Sequence, residues 1–143
     1  MKRISMAAAC ALACMGVSQT ARAQSGVLGR WLTDDGAGVV KIESCGRTLC
    51  GKLVSVRDPK APDRDINNPD PDKRQRPLVG ISILTGLVRD DDGWGDGRVY
   101  DPKAGRSYRA SISLAEDGRL DVTGCVLFLC RTKHWTRLEE KSG

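Results

Sequence analysis

The sequence is poor in the residues from which most catalytic sites are built. Its 143 residues include one His and only six aromatic side chains. A Ser-His-Asp triad would have to use His134, and there is no G-x-S-x-G turn to present a nucleophile. The glycines around Gly95 lie between predicted strands without a following helix, so they do not form a phosphate-binding loop. We therefore expect no enzyme activity and no cofactor.

Long apolar runs are also scarce, and the one that exists is N-terminal. Residues 4–17 carry no charge, follow Lys2 and Arg3, and precede an Ala21-Arg22-Ala23 cleavage motif. This pattern predicts a signal-peptide helix over 1–23 that is cleaved after Ala23. The apolar run is too short for a membrane-spanning helix, which needs roughly 20 apolar residues. A lipoprotein anchor at Cys14 is the alternative.

A strong net charge is missing once that segment is removed. The whole chain carries +5, but three of its 23 basic residues lie in 1–23, so 20 basic face 18 acidic residues in 24–143 and the charge there is +2. No basic stripe is visible, which argues against a nucleic-acid or membrane-surface partner. We expect 24–143 to form one domain with its own core.

Cysteines are present in an even number beyond residue 23, which suggests disulfides in an exported domain. The four are Cys45, Cys50, Cys125 and Cys130. Of the three possible pairings we favour Cys45–Cys50 and Cys125–Cys130, each closing a short loop. A zinc site made from all four cysteines is the alternative.

The rest of the chain is rich in short strand patterns and turn signals. Residues 106–114 alternate apolar and polar side chains, and Asp117-Gly118 is a strong hairpin signal. We predict strands over 29–32, 39–43, 49–56, 80–88, 94–100, 106–114, 120–126 and 131–138. About eight short strands indicate an all-β fold, a small antiparallel barrel or a sandwich.

One segment, 57–77, does not fit a strand. It holds five of the six prolines, together with six basic and five acidic residues. Its spacing of oxygen ligands is typical of the start of a calcium loop, but Asn68 and Arg74 stand where glycine and glutamate are needed. That pattern consists of Asp63, Asp65, Asn67 and Asp70. We favour a loop rigidified by Asx turns and prolines, with no metal.

The basic residues of this loop allow a second interpretation. Lys73, Arg74 and Arg76 lie beside Asp70 and Asp72 and either pair with them or hold an acidic ligand. Self-pairing is the more common arrangement, since exposed ion pairs are frequent and weak. Asp70, Arg76 and Asp101 are therefore weak candidates for ligand binding.

The two ends of the strand region carry a matching pair of motifs. Gly29-x-Trp31 opens the first strand, and Trp135-x-Arg137 lies in the last. In a closed barrel these strands pair, so we expect Arg137 to stack on the Trp31 ring. The alternative is two ordinary core tryptophans.

Several motifs together resemble the bacterial exported domain-of-unknown-function family 2147, over nearly all of 27–138. They are Gly29-x-Trp31, Val39-Val40-Lys41-Ile42, Cys45-Gly46-x-x-Leu49-Cys50-Gly51, Asn68-Pro69-Asp70, Arg76-Pro77-Leu78-x-Gly80, Tyr100-Asp101-Pro102-x-x-Gly105-x-x-Tyr108, Gly124-Cys125-Val126-Leu127 and Trp135-Thr136-Arg137. The resemblance implies a Gram-negative envelope protein with a lipocalin-like (calycin) β-barrel. It implies no established activity and no catalytic residue.

We thus expect a periplasmic, non-enzymatic barrel that binds a small apolar or amphipathic ligand. Eight-stranded barrels hold one small ligand or are filled by side chains. One alternative is an envelope protein-interaction module that uses the 57–77 loop. A second is a hydrolase that uses the loop carboxylates Asp70 and Asp101.

Overall fold

The structure is a computed structural model that describes residues 26–139, so the predicted signal-peptide helix lies outside the described residues. Eight strands and one short 3-10 helix, Pro71–Lys73, make up this part of the chain. The strands are β1 (Gly29–Leu32), β2 (Gly38–Cys45), β3 (Thr48–Val56), β4 (Ser82–Arg89), β5 (Trp94–Asp101), β6 (Arg106–Leu114), β7 (Leu120–Val126) and β8 (Leu129–Leu138). Within 26–139, no helix is long and apolar enough to cross a membrane.

The strands form a closed antiparallel barrel in which each strand pairs with the next one in the chain. β1 and β8 close the ring, with Trp31 opposite Arg137. The predicted all-β barrel of about eight strands is confirmed, and the sandwich is excluded. Closure leaves no free sheet edge, because every strand has two neighbours.

Three predicted strand boundaries need correction, and the first is the end of β2, which lies at Cys45 rather than at residue 43. β4 begins at Ser82 rather than at residue 80, because Gly80 has a φ of +102° and its amide donates to the Leu53 carbonyl. β8 begins at Leu129 rather than at residue 131, because Leu129 pairs with Val126 across a two-residue turn. The β7–β8 hairpin is therefore longer and tighter than the sequence predicted.

The hydrophobic core fills one end of the barrel, here called the closed end. Its most deeply buried side chains point inward from β2, β3, β4, β6 and β7. They are Ile42, Leu49, Leu87, Ile112 and Leu120, each at most 2% exposed. The other end, here called the open end, carries the β1–β2, β3–β4, β5–β6 and β7–β8 connections.

Trp31 and Arg137 lock the junction between the first and last strands. The Arg137 guanidinium lies 4.2 Å from the centroid of the Trp31 ring, and it also donates to the carbonyls of Leu28 and Gly26. The Trp31 indole donates to the Val27 carbonyl at 2.9 Å. Trp31 and Trp135 are both buried, so the structure contains the stacked pair and two core tryptophans together.

Two short-range disulfides staple hairpins at opposite ends of the barrel. Cys45 is joined to Cys50 across the β2–β3 turn, and Cys125 is joined to Cys130 across the β7–β8 turn. This is the pairing that the sequence favoured. With all four sulfurs in disulfides, the zinc alternative is wrong.

Candidate ligand cavity

The open end of the barrel contains a cavity of about 840 Å³. Apolar side chains from six strands and from the β3–β4 connection line its walls. Trp135 is among the side chains that β8 contributes. The apolar lining includes Val40, Leu53, Leu78, Ile83, Val99 and Val122. This volume falls within the range of small-molecule sites in proteins, roughly 300–1,000 Å³.

On two strands, β2 and β7, the inward side chains become smaller from the closed end toward the cavity. On β7, Leu120 fills the closed end, and Val122 and Gly124 follow it along the same inward face. On β2, Ile42 is followed toward the open end by Val40 and Gly38. Because side chains alternate across a strand, these positions all point into the barrel.

Basic side chains also enter the cavity, from β8. Arg131 and Lys133 share the inward face of this strand with Trp135, and both line the cavity. The Lys133 amine lies 3.9 Å from Asp34. Within 26–139, no carboxylate lies within salt-bridge distance of Arg131. The cavity therefore combines apolar walls with an unpaired positive charge.

A second ion pair closes part of the rim. The Lys103 amine lies 2.8 Å from the Asp35 carboxylate, between the β5–β6 and β1–β2 connections. Burial opposes ionisation of Asp35, but hydrogen bonds from Lys103, the Ala37 amide and Thr33 outweigh it, so the pKa of Asp35 is lowered to about 2. These groups are charged at neutral pH and tie two loops together.

The 57–77 loop is anchored beside the cavity by a buried carboxylate. Asp65 is 1% exposed and accepts hydrogen bonds from the Tyr100 hydroxyl at 2.6 Å, from Asn68 at 2.8 Å, and from Arg76 at 2.8 and 3.1 Å. Burial raises the pKa of Asp65, yet these donors outweigh that effect and lower it. Burial raises the pKa of Tyr100, and its hydrogen bond to the Asp65 carboxylate raises it further.

This arrangement decides between the two interpretations of the loop. The Asp65 oxygens are taken by Tyr100, Asn68 and Arg76, so they are not free to ligate calcium. Within the described residues, no group of three or more His, Cys, Asp or Glu side chains is placed to hold a metal ion. The contacts of Asp65 therefore do not support the calcium-loop interpretation. Arg76 pairs with a carboxylate of its own loop, but the partner is Asp65 and not the predicted Asp70 or Asp72.

The three weak ligand-binding candidates do not converge. Asp101 lines the large cavity, where its carboxylate accepts from the amides of Lys103 and Ala104. Asp70 and Arg76 line a separate polar cavity of about 440 Å³, and Asp70 caps the 3-10 helix through the Asp72 amide. Each carboxylate thus has a structural role in a turn, and no pair of them converges for acid–base work.

Sequence reasoning missed Arg131 and Lys133 as cavity residues, and it missed the contact between Asp65 and Tyr100. The signal for the first two was present, since Arg131, Lys133 and Trp135 alternate along one strand. Asp65 and Tyr100 lie 35 positions apart in the chain, and no local pattern links them. His134, the only His, lies outside the cavity, where its ring contacts Asp121 at 2.6 Å.

The family model described as "Uncharacterized protein conserved in bacteria (DUF2147)" matches residues 29–137. The chain belongs to the DUF2147 family. Among solved structures it is similar to protein HP1028 from Helicobacter pylori, whose title assigns that protein to the lipocalin family. The two share 20% sequence identity over 80% of this chain and 84% of the other, with a TM-score of 0.71. No curated protein matches the chain. The lipocalin-like fold of this DUF2147 member is thereby shown.

Proposed function

We propose that this DUF2147 protein is a non-enzymatic binding protein that holds a small amphipathic molecule in its barrel. The observation that carries the proposal is the cavity of about 840 Å³, which has apolar walls and the basic side chains of Arg131 and Lys133 on β8. Apolar pockets with a few convergent polar groups are the usual form of small-molecule sites. A lipocalin-like fold is consistent with this use.

Among the charges at the cavity, that of Arg131 favours an acidic head group on the ligand. The carboxylates that also line the cavity contact Lys133, Lys103 or the amides of their own turns; they are Asp34, Asp35, Asp58 and Asp101. Arg131 and Lys133 enter from β8 near the open end, and the apolar side chains of Leu53, Val122 and Trp135 lie in the same cavity. A hydrocarbon chain gains free energy by leaving water at about 25 cal/mol per Å² of buried apolar area. A carboxylate or phosphate near Arg131 would supply the charge that Arg131 lacks among the described residues.

The test is the binding of a fluorescent long-chain carboxylate, with a cavity-filling variant and a matched control. Val99→Trp places a large ring in the cavity, since Val99 lines it. Val88→Trp makes the same change on β4, where the side chain is 44% exposed and does not line the cavity. We expect Val99→Trp to weaken binding at least about tenfold, because it removes space for an apolar group, and Val88→Trp to leave it unchanged.

Two results would contradict the proposal. One is the absence of binding by the unaltered protein to long-chain carboxylates, amines and alcohols alike. The other is equal affinity of Val99→Trp and Val88→Trp, which would place the probe outside the barrel. Arg131→Gln separates charge from shape, because it should weaken the carboxylate more than the alcohol of the same chain length.

We also propose that the protein acts in the periplasm, after cleavage at Ala23. The supporting observations are the pattern of residues 1–23 and the disulfides Cys45–Cys50 and Cys125–Cys130, since disulfides persist in oxidising compartments. Mass spectrometry of the protein from a periplasmic extract should give an N-terminus at Gln24. An intact N-terminus in the cytoplasmic fraction would contradict this location.

A further inference from the structure

The tip of the β7–β8 hairpin exposes apolar side chains to solvent. Val126, Leu127, Phe128 and Leu129 follow one another there, and they are 52%, 75%, 89% and 74% exposed. The chain has one Phe, and it is the most exposed of these side chains. Contiguous exposed apolar residues mark interaction surfaces, whereas single ones are ordinary.

The hairpin holds this tip in a fixed and unfavourable conformation. The Cys125–Cys130 disulfide clamps its base, and the Arg109 guanidinium donates to the Leu127 carbonyl. Leu127 has a φ of +55°, in the first position of a two-residue turn, where glycine or asparagine is favoured. A large apolar residue at such a position lowers stability, and an outlier of this kind points to a function for the side chain.

The surface beside the tip is basic. Arg98 and Arg109 lie directly opposite each other on β5 and β6, and Arg109 lies opposite Cys125 of the hairpin. Within 26–139, no carboxylate lies within salt-bridge distance of Arg98 or Arg109. Like charges that face each other across strands destabilise a sheet. An anionic surface placed against this face would remove that repulsion.

The apolar tip is continuous with the cavity. Val126 and Leu129 line the cavity wall and are also part of the exposed tip. A ligand that leaves a bilayer next to this tip would therefore pass along an apolar surface into the barrel. This feature favours a lipid surface over a second protein as the partner.

We propose that the tip formed by residues 126–129, with Arg98 and Arg109, is a docking surface for an anionic lipid bilayer. Leu127 and Phe128 enter the head-group region, and the arginines contact lipid phosphates. The sequence expectation of no membrane-surface partner was based on the lack of a basic stripe. Arg98 and Arg109 escape that criterion because they come from two different strands.

The experiment is co-sedimentation with vesicles, carried out without any cavity ligand. Every variant is used in the form that begins at Gln24, after the proposed cleavage, so that all variants share one N-terminus. We expect binding to vesicles that contain phosphatidylglycerol, weaker binding to phosphatidylcholine vesicles, and a loss of binding at high salt. Because no ligand is present, failure here is distinguishable from failure of the proposed ligand binding.

The apolar contribution is tested with two substitutions that preserve the turn. Leu127→Asn suits the positive φ, so it should leave the melting temperature unchanged or raised while it weakens vesicle binding roughly tenfold. Phe128→Ser should weaken binding by a similar factor. The matched control is Leu114→Ser, since Leu114 is 47% exposed and lies at the closed end of β6. Equal binding of the Leu127→Asn and Leu114→Ser variants would overturn the proposal.

The electrostatic contribution is tested at Arg98, which does not line the large cavity. Arg98→Gln should weaken binding to anionic vesicles about fivefold, and Arg98→Lys should retain most of it. Arg47→Gln, in the β2–β3 turn at the closed end, should have no effect. A protein that ignores vesicles but self-associates through Phe128, as measured by sedimentation velocity, would also overturn the proposal in favour of a second copy of the chain.

Discussion

The guanidinium of Arg137 stacks on the ring of Trp31 at 4.2 Å, and the two residues are direct partners in the β1–β8 ladder that closes the barrel. Arg137 also donates to two carbonyls in the segment that precedes β1. One side chain thus joins the last strand, the first strand and the chain that leads into it. Its contacts are structural, since it does not line the cavity.

Arg137→Ala is therefore expected to destabilise the barrel by about 3 kcal/mol, from the lost stacking and the lost charged hydrogen bonds. Arg137→Lys should retain only part of the lost stability. An ammonium group is not planar, so it cannot stack on the Trp31 ring and donate to two carbonyls at the same time. Urea denaturation monitored by tryptophan fluorescence measures both. The control is Arg30→Ala, a change at an exposed residue beside Trp31. An equal loss of stability in the Arg30→Ala and Arg137→Ala variants would contradict the assigned role of Arg137.

This contact was predictable from the sequence because closure fixes which residues meet. Gly29-x-Trp31 and Trp135-x-Arg137 lie at the ends of an even set of strands, and in an up-and-down barrel those strands pair. The strand positions followed from period-2 alternation, as in 106–114, and from turn residues such as Asp117-Gly118. These signals are local, and the hydrogen-bond ladder converts them into long-range contacts.

The anchoring of the 57–77 loop could not be predicted from strand pairing in this way. Asp65 meets Tyr100 and Arg76 only after the loop turns back toward β5. The cavity was also invisible, because an alternating strand reads the same whether its inward residues are large or small. The step from Leu120 through Val122 to Gly124 creates space only in combination with the inward residues of other strands, such as Val40 and Gly38 of β2. Sequence patterns therefore predict which strands form a barrel better than whether its interior is filled by side chains or open.

Asp65→Asn should lower stability by about 2 to 3 kcal/mol. It removes the charge of a buried carboxylate, but Arg76 is partly exposed, so the cost is below that of breaking a fully buried pair. Asp63→Asn, an exposed change two positions earlier, is the matched control and should be nearly neutral. Thermal denaturation of both variants is the measurement. Equal melting temperatures would show that Asp65 does not anchor the loop.

The lowered pKa of Asp35 predicts acid sensitivity with a defined sign. A carboxyl group whose folded-state pKa lies below its unfolded-state value stabilises the fold above the unfolded-state pKa. That contribution is lost as pH falls from 3.8 toward about 2. The stability difference between the wild type and Asp35→Asn should therefore shrink across this interval, as measured by urea denaturation at a series of pH values. A difference that does not vary with pH would contradict the ion pair with Lys103.

Removal of the disulfides should lower stability without unfolding the barrel. Each closes a short loop, so the chain-entropy model gives about 2 kcal/mol per bond. The Cys45–Cys50 and Cys125–Cys130 hairpins lie at opposite ends, so serine replacement of both pairs should be additive. Circular dichroism and urea denaturation with and without reductant measure the effect. Global unfolding in mild reductant at room temperature would show that the core alone does not hold the barrel.

The last prediction concerns Gly105, which places the 57–77 loop against the β5–β6 turn. Gly105 has a φ of +64°, and a Cβ at this position would overlap the backbone carbonyl of Asn67. The Asn67 amide donates to the carbonyls of Pro102 and Lys103. Because Asn67 lines the cavity, movement of this contact changes the cavity wall as well as stability.

Gly46 is the matched control, since its φ is +67° and a Cβ there meets nothing within 4 Å. Gly46→Ala should cost about 1 kcal/mol, from backbone strain alone. Gly105→Ala should cost more than that and should also weaken binding of the long-chain carboxylate, because the loop must move to accept the methyl group. Parallel denaturation and fluorescence titrations of the two variants separate strain from displacement. If both lose the same stability and bind the probe equally well, the loop does not form part of the binding site.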